Sequence, residues 1–336
     1  MSDLGKIDRE FFERVVFPRL GADRADVSVG PRHGVDFGVL SVGDRAVVLA
    51  TDPVSVLPKL GWERAGRLAL EVVLADVAVS GIGPTHLTIS LSMPPETSDD
   101  DLEALWRGID GHASDLGVSI VAGHTARYPG IDTSWVGAAT AIGVGDPDDL
   151  IRPDGARPGD SLVVTTGPAA ELAGLFATMY PEALGLSAET VATAQERVTD
   201  IEVVADAQAA AAAGDVSAMH DATEGGLQGA LVEMARGGGV RFDVDAGPVP
   251  TAPGASAVCE AAGVDPWAVS SAGTLVIAVA PEDADAVVAA LRERGTRAAV
   301  VGSVRDGDGV YVDGQRRAMP ETDPSWAAAE RLAGGE

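Results

Sequence analysis

The amino-acid sequence predicts a two-domain protein of the α+β class. Its 336 residues are more than a single hydrophobic core usually organises. Both halves mix short β-rich runs with helical patterns and lack a regular βαβ alternation. A polar, turn-rich stretch at residues 145–160 separates the halves. We therefore expect domains at residues 1–150 and 151–320, followed by a tail at residues 321–336.

The first half predicts a strand hairpin between helical segments. Apolar residues recur about every 3.6 positions over residues 62–79, which indicates a long helix. Gly43-Asp44 separates two β-rich runs and is typical of a hairpin turn. The expected helices are residues 7–20, disturbed by Pro18, residues 62–79, and residues 99–116, capped by Ser98 or Asp99; the expected strands are residues 37–42, 46–51, 85–92, 119–122 and 135–144.

The second half is also mixed. The expected strands are residues 161–166, 239–244, 274–280 and 298–304, and the expected helices are residues 168–179, 187–213 and 281–294. The Ala-rich run at residues 205–213 reflects strong helix propensity. We expect Cys259 to be a small buried helix residue.

An acid, a hydroxyl and two glycines follow the Ala-rich run within Met219–Leu227. We expect this segment to close that helix and to open a second one that ends near Gly237. At a helix N-terminus, unpaired N–H groups and the helix dipole favour an anion, so a phosphate or substrate loop is one interpretation. In the alternative, Asp221 or Thr223 caps the helix and the glycines permit close packing.

Two common nucleotide-binding motifs are absent from the sequence. Neither Lys6 nor Lys59 lies in the Gly-x-x-x-x-Gly-Lys-Ser/Thr frame of a P-loop. Gly81-Ile82-Gly83 lacks the third glycine of the dinucleotide fingerprint and precedes Pro84. The sequence therefore excludes P-loop and Rossmann sites.

Isolated acids lie at the ends of predicted elements in the first half. Asp36 precedes a strand, Asp52 ends the next one, and Asp76 lies on the long helix. If they converge, three carboxylates can hold Mg²⁺ and leave positions for phosphate oxygens. Asp36 as a solvated loop acid and Asp52 as a turn residue are the alternatives. Asp76 has apolar neighbours, and because an unpaired buried carboxylate is unfavourable, a partner cation is inferred there.

Two histidines follow strand-like or helical runs. His124, with Gly123 and Thr125, follows a predicted strand, and His220 precedes Asp221. A neutral imidazole can contact phosphate or metal-bound water, and it can equally be a structural hydrogen-bonding group. Both interpretations stay open for both residues.

Charge limits the partners that we expect. The 24 basic and 51 acidic residues give a formal charge of −27, and only two of the basic residues are lysines. Such a surface repels nucleic acid and anionic lipid, and its composition resembles that of proteins from salt-accumulating halophiles. A single cysteine excludes an internal disulfide. No signal peptide or apolar membrane span is evident, so a cytoplasmic protein is expected.

Five motifs occur in one order along the chain. They are Gly34-Val35-Asp36, Thr51-Asp52, Ala75-Asp76-Val77-Ala78 leading to Ser80–Pro84, Gly123-His124-Thr125, and Asp221-Ala222-Thr223-Glu224-Gly225-Gly226-Leu227. This order resembles the superfamily of aminoimidazole ribonucleotide (AIR) synthetase over nearly the whole chain. The last motif, together with Ser270–Leu275 after Cys259, is most similar to the hydrogenase maturation factor HypE and its archaeal relatives that lack the C-terminal cysteine.

The resemblance implies a two-domain PurM-like α+β fold. The N-terminal domain would carry a mixed or antiparallel sheet that forms a barrel in a homodimer, and the C-terminal domain would be an α/β sandwich. The implied cofactors are ATP and Mg²⁺, with the ATP site between subunits and domains. The resemblance assigns Asp36, Asp52 and Asp76 to the metal; Gly34, Asp36, Thr51, Asp52, Gly123, Thr125, Thr223, Gly225 and Gly226 to ATP; and His124 and Asp221 to catalysis.

The implied chemistry is transfer of phosphate from ATP to a substrate oxygen or an amide-like group. Because phosphoryl transfer depends on positioning and metal-borne charge compensation, carboxylates acting through Mg²⁺ can replace a P-loop lysine. Arg32 and Arg127 are candidate phosphate contacts or ordinary surface residues. We expect a small-molecule or protein-borne substrate and a maturation partner protein.

Three features depart from the family pattern. Ala75 stands where relatives often have Asn, and His124 stands where several members have an acid. HypE has a Pro-Arg-x-Cys tail whose thiol bears the carboxamide, whereas this sequence ends in Ala333-Gly334-Gly335-Glu336, so cyanide-ligand synthesis by that route is not expected. Two alternatives stay open: a nucleotide-binding partner protein without turnover, and an enzyme similar to thiamine-monophosphate kinase or selenophosphate synthetase.

Overall fold

The structure, a computed structural model, describes residue 7 and residues 9–32 and 34–334. These residues fall into two compact units. The first unit comprises Ala25–Pro31 and Asp36–Leu150. The second comprises the described residues before Ala25, those between Pro31 and Asp36, and those from Ile151 onward.

The expected helix at residues 7–20 is a series of short turns. Helix α1 (Arg9–Phe11) continues into a π-helical turn (Phe12–Val16) and then a 3₁₀ turn (Phe17–Arg19). Pro18 is the second residue of the 3₁₀ turn, where its missing N–H is tolerated. The disturbance expected at Pro18 is therefore confirmed as a change of helix type.

The described residues of the first unit form a six-stranded sheet with two helices. Its elements are β1 (Val27–Val29), β2 (Gly38–Val42), β3 (Arg45–Val54), α2 (Trp62–Ala78), β4 (Pro84–Met93), α3 (Asp99–Asp115), β5 (Ser119–Arg127) and β6 (Gly137–Gly145). The strand order is β1-β2-β3-β6-β4-β5, and β4–β5 is the parallel pair. Helix α2 packs against α3, β3 and β6. The mixed sheet confirms the predicted class.

Local signals of the first unit are confirmed by the structure. Val42 pairs with Arg45, so Gly43 and Asp44 form a two-residue hairpin loop in which Gly43 has φ +64°. Ser98, and not Asp99, caps α3: its hydroxyl accepts from the Asp101 N–H at 3.1 Å. Strand β5 is longer than predicted, because its pairing with β4 continues as far as Arg127.

The described residues of the second unit form a seven-stranded sheet covered by helices. Its further elements are β7 (Ser161–Thr165), α4 (Ala170–Met179), α5 (Ala188–Gln195), α6 (Val203–Ala213), β8 (Val216–Asp221), α7 (Gly226–Gly238), β9 (Arg241–Val244), α8 (Ala255–Ala262), β10 (Leu275–Val279), α9 (Ala284–Glu293), β11 (Ala298–Arg305), β12 (Gly309–Val312), β13 (Gln315–Arg317) and α10 (Pro324–Gly334). The strand order is β13-β12-β9-β11-β7-β10-β8.

The central strands of this sheet are buried on both faces. Leu162 and Val164 of β7 pack in one core with Leu231 of α7. The alternate residue Val163 lies on the other face, where α9 packs on β7 and β11 and α6 packs on β8. Every residue of β8 and of β10 is buried. This layering agrees with the expected α/β sandwich.

Two sequence-based expectations for the second unit are wrong. The helix expected at residues 187–213 breaks at a 3₁₀ turn (Glu196–Asp200), where the Thr199 hydroxyl donates to the Glu196 carbonyl and the Arg197 side chain is buried. Met219–Asp221 does not continue the Ala-rich helix. These residues end strand β8, where they pair with β10. Residues 321–336, separated in the sequence as a tail, contain α10.

A buried carboxylate joins α6 to the turn after α9. Asp206 is 1% exposed and accepts from the Thr296 hydroxyl at 2.8 Å and from Arg294 Nε at 3.1 Å. Burial raises the pKa of Asp206 to about 6, more than these two donors lower it. The folded protein therefore binds this proton more tightly than the unfolded chain does.

Replacing Asp206 with Asn should change how stability depends on pH. Because the folded-state pKa is raised, the stability linked to this proton is present below about pH 4 and is lost as pH rises through about pH 6. The wild type should lose up to about 3 kcal/mol relative to Asp206→Asn across that window. Denaturant unfolding at fixed, high KCl measures the difference. Asp285→Asn, at an exposed position of α9, is the control, and a pH-independent difference for Asp206→Asn would contradict the prediction.

Candidate functional site

Three strand ends meet at one edge of the second unit's sheet. Strand β10 lies between β7 and β8 and is antiparallel to both. Leu275, the first residue of β10, pairs with Asp221, the last residue of β8, and Val276 pairs with Val164 of β7. The ends of β7 and β8 and the start of β10 therefore lie side by side. We call this the strand-end edge.

Hydroxyl groups fix the loops at the strand-end edge. Thr166 and Ala169, between β7 and α4, have positive φ of 58° and 60°. The Ala169 N–H donates to Ser271 Oγ, and Thr274 Oγ1 donates to the Gly167 carbonyl, both at 2.8 Å. Both hydroxyl side chains are completely buried. Their hydrogen bonds hold a backbone conformation that is unfavourable for residues other than glycine.

Asp221 is buried at this edge, and one of its carboxylate oxygens has no donor among the described residues. The residue is 2% exposed, and Oδ1 has no hydrogen-bond partner among the residues that the structure describes. His220 Nδ1 lies 3.6 Å from this oxygen, and His220 Nε2 lies 3.1 Å from Glu233 Oε2 on α7. A buried carboxylate oxygen without a donor is unfavourable unless a cation or a donor joins it. Asp221 is thus suited to contact a ligand.

The glycine loop after Asp221 begins α7 without a side-chain cap. Gly225 is the N-cap residue in the left-handed conformation, and its N–H donates to Asp323 Oδ2 at 3.2 Å. The Thr223 carbonyl accepts from the Gly226 N–H at 2.9 Å. The interpretation of Asp221 or Thr223 as the helix cap is therefore wrong. The close-packing part of that alternative is correct, because a Cβ on Gly226 would lie 2.3 Å from the Val269 carbonyl oxygen.

Gly226→Ala should destabilise the protein more than Gly225→Ala. Both residues have positive φ, 61° and 80°, so either alanine adds backbone strain of about 1–2 kcal/mol. Only the Gly226 position adds a collision with backbone, since a Cβ on Gly225 meets nothing closer than 3.6 Å. Thermal unfolding of the two variants measures the difference. Equal losses would contradict this account of the loop.

Sequence reasoning missed Glu171 and Asp323 at this edge. Glu171, in the first turn of α4, accepts from the Ser270 hydroxyl at 2.8 Å and the Ala272 N–H at 2.9 Å. Asp323 is 8% exposed and also accepts from the Ser325 N–H at 2.8 Å. The sequence signal for Glu171 is its place shortly after Thr166-Gly167-Pro168, where a strand gives way to a helix. For Asp323, the sequence shows only that it precedes Pro324, a pattern that predicts a turn and no functional role.

In the first unit, Asp36, Thr51 and Asp52 lie at one end of the β2–β3 pair. Gly38 pairs with Leu49, so Asp36 comes two positions before the paired region and Asp52 three positions after Leu49. Because the strands are antiparallel, both acids leave the same end of the pair. Thr51 Oγ1 is 2.9 Å from Thr140 Oγ1 on β6. Asp36 and Asp52 are partly buried.

Asp76 is partly buried near the C-terminal end of α2. Its neighbours Ala75 and Val77 are 3% and 0% exposed, which confirms the apolar surroundings inferred from the sequence. Ala75 has no side-chain oxygen to offer a ligand.

Gly123, His124 and Thr125 lie within β5 and do not follow it. They pair with Ile89, Ser90 and Leu91 of β4. All three are exposed, and the His124 ring stacks on Tyr128, with Nε2 3.2 Å from the tyrosine hydroxyl. A Cβ on Gly123 would lie 2.6 Å from the Ile89 carbonyl oxygen, so close strand pairing by itself accounts for this glycine.

The two candidate phosphate arginines have protein partners. Arg127 Nη2 donates to Asp99 at 2.7 Å, and Arg127 Nε donates to the Thr97 carbonyl at 2.8 Å. Arg32 Nη1 lies 3.8 Å from Asp154. Gly34, near Arg32 in the second unit, has φ +78° and faces the Glu233 side chain.

Family models match both parts of the chain. The N-terminal domain of AIR synthase related protein matches residues 34–144, and the C-terminal domain matches residues 157–315. A putative hydrogenase expression/formation protein of Methanocaldococcus jannaschii is 29% identical over 95% of this chain and 96% of its own length. Carbamoyl dehydratase HypE of Rhizobium leguminosarum bv. viciae is 31% identical over 84% of this chain and 80% of its own length.

Solved HypE structures have the same fold. HypE of Escherichia coli has a TM-score of 0.71 and 26% identity, covering 83% of this chain and 87% of that chain. A HypE structure in complex with ATP has a TM-score of 0.68 and 23% identity, covering 94% of this chain and 93% of that chain. In the described part of this chain, no helix is both long and apolar enough to cross a membrane.

Proposed function

Because the chain belongs to the AIR synthase-related protein family, we propose that it binds ATP with Mg²⁺ and transfers phosphate to an oxygen or amide-like group of a substrate. The observation that carries the proposal is Asp221, a buried carboxylate whose Oδ1 finds no hydrogen-bond donor among the described residues. Such an oxygen is stabilised by a ligand donor or a cation. The HypE structure solved with ATP supports the choice of nucleotide.

The donor sets of the chain fit this pair of ligands. Asp36, Asp52 and Asp76 offer the carboxylate oxygens that a hard cation prefers, and a bound Mg²⁺ would compensate the charge of the phosphates. Thr51 adds a hydroxyl beside Asp52. On the second unit, Thr223, Gly225 and Gly226 place backbone groups beside Asp221 at the start of α7. The Gly225 and Gly226 N–H groups donate to Asp323 and to the Thr223 carbonyl, so the proposed donors to phosphate or to an acceptor oxygen are the N–H and hydroxyl of Thr223.

Nucleotide binding should depend on the acids of the first unit. MgATP should raise the Tm of the wild type in multimolar KCl, and this rise should disappear in Asp52→Asn and Asp76→Asn, because each loses a charged metal ligand. Asp44→Asn is the matched control, since Asp44 lies in the turn at the opposite end of the β2–β3 pair. Absence of nucleotide binding by calorimetry in high salt would overturn the proposed function.

A binding protein without turnover is the second candidate. It is favoured by Ala75, which is buried directly before Asp76 and has no side-chain oxygen that could bind a ligand. ADP release decides between the two candidates. If the protein is an enzyme, the wild type should form ADP from MgATP faster than Asp221→Asn does. If it is a binding protein, the wild type should bind MgATP and form no ADP.

The process that we propose is hydrogenase maturation, for which the relatives are named. Cys259 is not a carrier thiol in this proposal: it is 1% exposed, and burial raises its pKa to about 12. We propose that the acceptor group is carried by a small molecule or by a partner protein.

We also propose that the chain forms a homodimer through the first unit's sheet. Strand β5 is an edge strand with no further neighbour among the described residues, and Val121 on it is 55% exposed. Exposed apolar edge strands are favourable sites for pairing with another chain. Light scattering in high salt should give twice the 34.1 kDa chain mass. Val121→Lys should shift the mass toward the monomer, while a monomeric wild type would contradict the proposal.

A further inference from the structure

Glu171 lies at the strand-end edge beside Asp221. Its helix, α4, begins shortly after β7 ends, and its carboxylate reaches the loop that leads into β10. Asp221 pairs with Leu275 at the start of the same strand β10. The two carboxylates are close enough for Asp221 to raise the pKa of Glu171. Glu171 therefore belongs to the same edge as the residue on which the proposed function depends.

The two oxygens of Glu171 have different surroundings. Oε2 accepts both hydrogen bonds, from the Ser270 hydroxyl and from the Ala272 N–H. Among the described residues, no donor reaches Oε1, and the side chain is partly exposed. Two hydrogen bonds to one oxygen orient the carboxylate. The other oxygen remains available to a molecule that arrives from solution.

Electrostatics make this carboxylate a stronger base than an ordinary one. Burial is the main cause that raises the pKa of Glu171, and the negative charges of Asp323 and Asp221 raise it further. The hydrogen bonds from Ala272 and Ser270 act in the opposite direction. The other titratable groups on the elements packed against α4 are Glu189 on α5, Glu196, Arg197 and Asp200 in the 3₁₀ turn, and Cys259 and Glu260 on α8. Arg197 is paired with Glu196 and Asp200.

The backbone before α4 is strained and rigidly held. Thr166 and Ala169 have positive φ although neither is glycine, and the Ala169 N–H is bound by the buried Ser271 hydroxyl. Strain of this kind collects at functional sites, where the surrounding structure maintains it. In a purely structural role, Glu171 would only join α4 to the Ser270–Ala272 loop. A glutamine would fulfil that role equally well, because one carbonyl oxygen can accept both hydrogen bonds.

We propose that Glu171 is the general base of the phosphoryl transfer, an inference that rests on the proposed function. Oε1 takes the proton from the acceptor's O–H or amide N–H while the acceptor oxygen forms its bond to the γ-phosphorus. The bond from that phosphorus to the bridging oxygen breaks, and its electron pair leaves with ADP. The proton then passes from Glu171 to solvent, so the products are the phosphorylated acceptor, ADP and one proton.

The test uses MgATP with water as the acceptor, in multimolar KCl. Glu171→Gln should lower the rate of ADP release by about 100-fold or more. Its affinity for MgATP, measured by calorimetry, should stay within about twofold of the wild type, because the general base acts on the rate and not on nucleotide binding. Glu189→Gln, an exposed glutamate in the first turn of α5, is the matched control and should retain the wild-type rate.

The pH profile separates a base from a structural residue. The wild-type rate should fall at acidic pH as Glu171 becomes protonated, and Glu171→Asp should keep this acidic limb at a lower rate, because its carboxylate is one methylene shorter. Glu171→Gln should lose the limb. Should Glu171→Gln fail to fold, Glu171→Asp decides alone: a rate equal to the wild type overturns the proposal.

A second readout needs no turnover. A raised folded-state pKa makes ionised Glu171 destabilising, so the Tm of Glu171→Gln minus that of the wild type should increase as pH rises above the ordinary pKa of a glutamate, about 4.3. A Tm difference that does not change with pH would overturn the proposal that Glu171 is the general base. So would ADP release by Glu171→Gln at the wild-type rate. If the wild type binds no MgATP or releases no ADP, the proposed function fails and the base fails with it, whereas ADP release that survives Glu171→Gln overturns the base alone.

Discussion

The pairing of β10 with both β7 and β8 determines where the chemistry of the second unit can lie. Every residue of β8 and β10 is buried, so the register cannot slip by one residue without turning apolar side chains out of their cores. That register places Asp221 opposite Leu275. The loops that leave β7 and β8 and enter β10 consequently share one edge. This backbone constraint brings the acids, the hydroxyls and the glycine loop to one edge, where hydrogen bonds such as those from Ser270 to Glu171 and from Gly225 to Asp323 then hold them.

The strand-end edge concentrates negative charge in a buried place. Glu171, Asp221 and Asp323 lie there, and backbone N–H groups and hydroxyls compensate only part of their charge. Asp323 accepts hydrogen bonds from two backbone N–H groups, whereas Oδ1 of Asp221 receives none from the described residues. Asp323 therefore supports the glycine loop, whereas Asp221 is suited to contact a ligand.

In the first unit, the acids are positioned by one antiparallel strand pair and one helix. Antiparallel pairing sends Asp36 and Asp52 out of the same end of β2–β3, and α2 carries Asp76 among buried alanine and valine side chains. His124, by contrast, lies exposed on an edge strand and stacks on Tyr128. Its surroundings are those of a solvated surface, so its assignment to catalysis depends only on the family resemblance.

The fold class, most elements, the family and the candidacy of Asp221 could be predicted from the amino-acid sequence alone. These follow from local signals, such as the Ser98 cap, the Gly43-Asp44 turn and the period of α2, and from an ordered set of motifs. Three features became visible in the folded chain and not before: Met219–Asp221 is part of a strand, Gly225 is the N-cap of α7, and the Glu171 side chain reaches Ala272. Those outcomes depend on contacts between residues as far as 101 positions apart, such as Glu171 with Ala272. Local propensity carries no information on partners so distant, because burial and pairing in the assembled sheet outweigh the preference of any single segment.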